Sequence, residues 1–275
     1  MITESLVFDI LIITEKVADI LKTYHKNLNT LKVREKNDLS PVTEADLKAH
    51  QIIIESLKQL TPEIPILSEE LNPMPLFEER KKWATYWLID PLDGTKSFLK
   101  GETDFAISVA LIKNHQPILG VIELPMLDQC YFAFKNQGAY KINREINKQK
   151  QMPQKISVNK NYDQTFKITI GKAKALSDRL KERLEKLNDY KIIYHASAYK
   201  FCLVSEGVAD LYLRLYPTHQ WDTAAGDCIL SEAGGAIICL ENQKKLCYNK
   251  SSSLINPYFL AGPKWAIEHI LNVLI

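Results

Sequence analysis

Leu6, Ile10, Ile13, Val17, Ile20, Leu21 and Tyr24 recur at steps of three and four residues. That spacing lines one face of an α-helix and predicts an amphipathic helix packed on a core. A second helix is predicted over 44–60, entered through Ser40-Pro41-Val42-Thr43 and closed by Thr61-Pro62, since proline cannot continue a helix. From 85 to about 141 the rhythm changes to short apolar runs at 85–89, 105–112, 118–124, 130–134 and 139–142. Asn114-His115 and Asn136-Gln137-Gly138 lie between runs and read as hairpin turns. Connections this short favour an antiparallel or mixed sheet.

Residues 143–155 are polar and rich in Lys and Gln, and read as a linker. Beyond them strands and helices alternate. Strands are predicted at 167–171, 192–193, 211–215, 235–239 and 259–260, with helices near 178–187, 198–207, 223–233 and 265–274. The pattern is α+β in the first half and α/β in the second. It divides the chain into domains at 1–145 and 155–275.

A length of 275 residues allows one large domain or two ordinary ones. Hydrophobic content of 46% with 25% charged residues is that of a globular protein. The net charge of +2 and the absence of a long basic run argue against a nucleic-acid polymer as partner. The five cysteines form no C-x-x-C pair and mostly sit in apolar segments, as reduced thiols of a cytoplasmic protein do. Glu4, Asp9 and Glu15 interrupt the first apolar stripe, so it does not read as a secretory leader. No stretch approaches the ~18 apolar residues of a membrane span.

The chemistry concentrates in three acidic clusters. Asp90-Pro91-Leu92-Asp93-Gly94-Thr95 follows the strand at 85–89. Ser68-Glu69-Glu70 lies upstream, and Trp221-Asp222-Thr223-Ala224-Ala225-Gly226 far downstream. Each ends a predicted strand or opens a predicted helix, where α/β folds place their sites. Were Glu69, Asp90, Asp93 and Asp222 to converge, each pair at about 4 Å would cost ~1 kcal/mol in water and ~4 at an effective dielectric of 20. Such a cluster calls for cations, and hard oxygen donors suit magnesium. Paired metals suit phosphoester cleavage. An EF-hand calcium loop does not fit, because its third and sixth positions would be Leu92 and Thr95. Gly94 and Thr95 can offer backbone N–H groups to a phosphate, as can the helix after Asp222. Thr43-x-x-Asp46 reads independently as a capping box opening the second helix.

The order Asp46, Glu69-Glu70, Asp90 to Thr95, Trp221 to Ala225 and Gly234-Gly235 resembles the inositol monophosphatase superfamily of magnesium-dependent, lithium-sensitive phosphatases. Ser40 to Thr43, Leu67 to Glu70, Asp93 to Phe98 and Lys200 to Val204 bring it nearest the CysQ type of 3'(2'),5'-bisphosphate nucleotidase. The resemblance implies a layered αβαβα sandwich. It also implies two or three Mg2+ ions on Glu69, Asp90, the Leu92 carbonyl, Asp93 and Asp222. Asp46 and Thr95 would activate the attacking water; Glu70 reads as standing behind the metal ligands, facing the metal loosely, or solvated beside Glu69. Substrate would touch Glu69, Leu92, Asp93, Gly94, Thr95, Ser197, Lys200 and Asp222. The chain departs from the family pattern at Ala196, where glycine is usual.

The implied reaction is hydrolysis of adenosine 3',5'-bisphosphate to AMP and phosphate, a step of sulfur metabolism. The alternatives are an inositol or sugar monophosphatase, or a protein that only binds a divalent ion. The small-molecule nucleotide is the partner implied; monomer and homodimer both stay open. A cytoplasmic enzyme is expected, with peripheral association at the inner membrane implied by resemblance only.

Overall fold

A computed structural model of the chain describes residues 2–35, 41–144, 152–172, 176–187 and 189–274. Helix α1 (Glu4–Lys26) opens behind Thr3, whose hydroxyl accepts the Leu6 N–H. Strands β1 (Val33–Glu35) and β2 (Pro41–Thr43) pair as an antiparallel ribbon ahead of α2 (Glu44–Leu60). Then come β3 (Ile66–Ser68), α3 (Phe77–Arg80), β4 (Thr85–Asp93), α4 (Thr95–Leu99) and β5 (Ala106–Lys113). Four more strands follow: β6 (Gln116–Leu124), β7 (Gln129–Phe134), β8 (Ala139–Asn143) and β9 (Gln154–Ile156). The second half runs β10 (Phe166–Ile170), α5 (Asp178–Leu184), β11 (Tyr190–Tyr194), α6 (Tyr199–Ser205), β12 (Leu211–Arg214) and β13 (Thr218–His219). It closes with α7 (Ala224–Glu232), β14 (Ala236–Cys239), β15 (Ile255–Asn256), β16 (Phe259–Gly262) and α8 (Lys264–Leu274).

β3 to β9 form one sheet in chain order, with β3 and β4 parallel and the rest antiparallel. A second sheet has the order β11-β10-β12-β16-β14, and β13 and β15 make a separate ribbon. α1 and α2 cover the outer face of the first sheet. α6 and α7 lie between the two sheets, while α5 and α8 cover the second sheet from outside. The result is five layers, α-β-α-β-α, as the resemblance implies. Because helices cover both faces of β4, its side chains alternate between two cores. Trp87 and Ile89 enter the α1–α2 side; Tyr86 and Leu88 enter the α7 side. A strand buried on both faces therefore reads as one unbroken apolar run. α7 lies directly on β6: a Cβ on Gly120 would come within 2.4 Å of the Ala225 carbonyl oxygen.

The hairpin reading of Asn114-His115 matches the backbone, with φ of 50° and 65° in the left-handed region. The polar stretch at 143–155 behaves differently from its linker reading at both ends. Asn143 belongs to β8, and Gln154–Ile156 pairs with β8 as an edge strand. A three-residue edge strand with two exposed positions shows no apolar alternation to detect. Residues 145–151 of that stretch, with Lys148 and Lys150, lie outside the described residues, as does Ser40. Among the described residues no helix is long and apolar enough to cross a membrane.

Candidate active site

The site grows from the carboxyl end of β4. Asp90 and Asp93 pair with Ser108 and Ala106, so three steps on β4 span two on β5. Strict alternation would send residues three apart to opposite faces. The extra residue of a β-bulge offsets that alternation. Asp90 accepts the Leu92 N–H at 3.1 Å, which curls the backbone around its carboxylate. Gly94 then takes φ +94°, and a Cβ there would stand 3.4 Å from Ser197 Cβ and 3.5 Å from Phe105. Positive φ is what glycine supplies at such a turn. Thr95 opens α4 with its hydroxyl 3.1 Å from Asp46 Oδ1 and 3.2 Å from the Leu92 carbonyl.

Asp46 does two jobs at once. Its Oδ2 closes the capping box of α2, accepting the Thr43 N–H at 2.7 Å and the Thr43 hydroxyl. Its Oδ1 is turned to Thr95. The capping reading holds and leaves one oxygen facing the site.

Glu69 stands one residue past β3, where its N–H reaches the Ile89 carbonyl at 3.1 Å. Asp222 ends the tight turn 220–222 that precedes α7. It accepts the His219 N–H at 2.8 Å, while the His219 side chain accepts the Asp222 N–H in return. The His219 ring stacks on Trp221 at 4.7 Å, nearly parallel. One carboxylate oxygen each from Glu69, Asp90 and Asp222 lies within 4.8 Å of the others. Three distant stretches of sequence thus deliver three carboxylates to one point. Asp93 lies beside this triad, with its Oδ2 accepting the Ala198 N–H.

Charge at this point is poorly balanced. Burial, then Glu69, Asp93 and Asp222, push Asp90 well above the usual carboxylate range. Burial, then Asp93 and Glu69, do the same to Asp222, against the pull of the His219 N–H. Asp93 is pushed up to about 6 by burial, opposed mainly by Lys200. Burial also raises Asp46, with the Thr43 and Thr95 hydrogen bonds opposing it. Carboxylates held this close, with a backbone carbonyl at Leu92, are a hard-oxygen donor set that fits a divalent cation.

Lys200 is 3% exposed. Its ammonium donates to the Ser197 carbonyl and lies 5.1 Å from the centre of the Tyr212 ring. Burial lowers it to about 8, and Asp93 is the main group holding it up. The signal for this was available, since Leu203 and Val204 follow at helical spacing and mark a buried face. Ser197 adopts φ 53°, and Ala196 spends its N–H on Asp104 Oδ2 at 2.8 Å. Glu70 follows Glu69 in the same turn. Arg214 was not singled out from sequence, yet its charge acts on both Asp93 and Asp222. Between two leucines at the end of β12 it carries no sequence signal beyond that of an exposed strand position.

Residues 2–271 match the model of the inositol monophosphatase family. A protein of Aggregatibacter actinomycetemcomitans named 3'(2'),5'-bisphosphate nucleotidase CysQ is 41% identical over 262 residues, covering 95% of this chain and 94% of that one. The protein of the same name from Salmonella typhimurium is 38% identical, covering 90% and 95%. The crystal structure of CysQ from Bacteroides thetaiotaomicron, described as a bacterial member of the inositol monophosphatase family, superposes with a TM-score of 0.79 at 30% identity, over 95% and 98% of the two chains. Sequence and fold agree, and the chain belongs to the inositol monophosphatase family.

Proposed function

We propose that the chain is a magnesium-dependent phosphatase that removes the 3'-phosphate of adenosine 3',5'-bisphosphate, releasing AMP and phosphate. The observation that carries this is the meeting of Glu69, Asp90 and Asp222 oxygens within 4.8 Å. Two or three Mg2+ ions, held by these residues with Asp93 and the Leu92 carbonyl, would neutralise phosphate charge and acidify water.

The chain's own residues do the rest. Asp46 has one oxygen committed to the α2 cap, so only Oδ1 is turned to Thr95. The Thr95 hydroxyl has one proton and gives it to Asp46, leaving lone pairs to orient the attacking water and take its proton. Gly94 and Thr95 N–H groups, with the start of α7, face the phosphate oxygens. Charge neutralisation and positioning supply most of the rate.

The names of the relatives favour a bisphosphate nucleotide over an inositol phosphate. Arg214, whose charge acts on Asp93 and Asp222, also lines a cavity of about 410 Å³ with Ile170, Leu176, Leu213 and Tyr216, which none of the site carboxylates lines. The volume suits a small organic ligand. Ser197 and Lys200 serve the nucleotide side, with the Lys200 ammonium holding the turn that presents Ser197. Five cysteines without disulfides accord with a cytoplasmic enzyme.

The test is phosphate release from adenosine 3',5'-bisphosphate and inositol 1-phosphate, each with Mg2+ and with EDTA. The nucleotide is the preferred substrate, and EDTA abolishes release. Preference for inositol 1-phosphate transfers the chain to the monophosphatases. Release that survives EDTA contradicts the metal assignment.

A further inference from the structure

A buried amide braces the turn that carries Asp222 from behind, beside the bonds that Gln220 makes to the Leu254 carbonyl at 2.8 Å and to the Asn249 N–H at 2.7 Å. Asn256, in β15, is 6% exposed. Its side-chain nitrogen lies 2.7 Å from the His219 carbonyl, 3.0 Å from Thr223 Oγ1 and 3.2 Å from Thr218 Oγ1. A carbonyl can only accept, so the nitrogen and not the oxygen of the amide must face it. His219 and Thr223 bracket the 220–222 turn on its two sides.

His219 and Thr223 are already engaged with the turn. The His219 N–H donates to Asp222 Oδ2 at 2.8 Å. The Thr223 hydroxyl donates to the Gln220 carbonyl at 3.2 Å and lies 3.4 Å from the Tyr248 hydroxyl. With its proton on the Gln220 carbonyl, that hydroxyl keeps lone pairs to accept from Asn256, while the Tyr248 proton goes to Asp227 Oδ2 at 3.0 Å. β13 and β15 share only two residue pairs, so the backbone pairing alone is a small anchor. Meanwhile Asp93 and Glu69 repel the Asp222 carboxylate. Something must keep the turn closed against that repulsion.

We propose that Asn256 is a positioning residue that holds the 219–223 turn closed and so sets the affinity of the Asp222 site for its divalent cation. The inference rests on the metal reading of the acidic cluster. It concerns how the turn is held, which that reading leaves open.

The experiment is titration calorimetry with MgCl2 on the wild-type protein, Asn256→Ala and Asn256→Asp, with thermal unfolding of each in metal-free buffer. Asn256→Asp keeps the shape but sets an acceptor against the His219 carbonyl. Asn159→Ala is the comparison, because the Asn159 amide makes an ordinary structural bond, 2.8 Å to Asp210 Oδ1. Supporting residues behind a metal ligand typically change affinity by 10–100-fold, so the Mg2+ dissociation constant rises about tenfold in both Asn256 variants. Asn159→Ala lowers the melting temperature and leaves that constant alone. Mg2+ affinity within about twofold of wild type in a folded Asn256 variant overturns the proposal. If Asn256→Ala does not fold, Asn256→Asp decides by the same criterion. A wild-type protein that binds no Mg2+ contradicts the metal reading itself, and this inference with it.

Discussion

Glu123 and Asp90 are buried carboxylates on the same sheet, each 1% exposed, and their surroundings are opposite. Glu123, in β6, receives Arg144 Nε at 2.7 Å, Arg144 Nη2 at 2.8 Å and the Thr14 hydroxyl at 3.3 Å. Arg144 also reaches the Leu11 carbonyl at 2.8 Å and Glu15 at 2.7 Å, so the ion pair fastens α1 to the sheet. Burial raises Glu123, and Arg144 is the chief counterweight. Asp90, two strands away, is raised by burial and then by three more carboxylates. A carboxylate that holds a fold together is buried with its cation. One that serves chemistry is buried among its own kind, at a strand end, where a cation must come from solution.

The contrast can be broken most forcefully at Asp90. On the metal reading Asp90→Asn removes a ligand and a repulsion together, so turnover falls by about a hundred- to a thousandfold. The metal-free melting temperature stays level or rises. Near-normal turnover, or a metal-free protein several degrees less stable, would break the contrast.

Arg144→Ala should do the reverse. It strands a buried charge and costs about 3–5 kcal/mol of stability, while turnover per folded molecule is unchanged. Urea denaturation beside an activity measurement reads both, and a loss of turnover without a loss of stability would blur the two regions.

Acidity sharpens the comparison at smaller scale. Burial, opposed by Lys200, holds Asp93 at about 6 in the metal-free fold, against about 3.9 in an unfolded chain. The folded state keeps the proton between those values, so this contribution to stability is full below the lower one and is lost as pH rises through about 6. Mg2+ must displace such protons to bind. The rise in melting temperature on adding Mg2+ is therefore small at pH 5 and larger at pH 8. An increment that shrinks over this interval would reverse the sign of the argument. Thr14→Val is the mildest change, removing the weakest oxygen or nitrogen bond to Glu123, at 3.3 Å, for about 1 kcal/mol with no effect on turnover. A loss of turnover there would tie Glu123 to the chemistry.

Much of this was legible in the sequence because the acidic groups of the site sit in contiguous motifs at element ends. Asp90 to Thr95 contains the bulge, the turn and the start of α4 in six adjacent residues. The capping role of Asp46 was legible too, since a capping box is itself a local pattern. What was not legible depends on long-range pairing of short polar segments. Asn256 meets the Asp222 turn only through the two-residue ribbon of β13 and β15, far too short for any periodicity. Asn249, which accepts from Arg80, 169 residues away, and whose N–H donates to Gln220 Oε1 at 2.7 Å, links the turn to α3. The chain pattern finds what binds; the packing of its connections finds what holds the binder in place.

The central claim is that Glu69, Asp90, Asp93 and Asp222 share bound divalent cations. The most direct test is an anomalous difference map from crystals grown with Mn2+ as a stand-in for Mg2+. The account predicts peaks bonded to these carboxylates and to the Leu92 carbonyl. A map with no peak there at saturating Mn2+, or with peaks only elsewhere on the molecule, would contradict it.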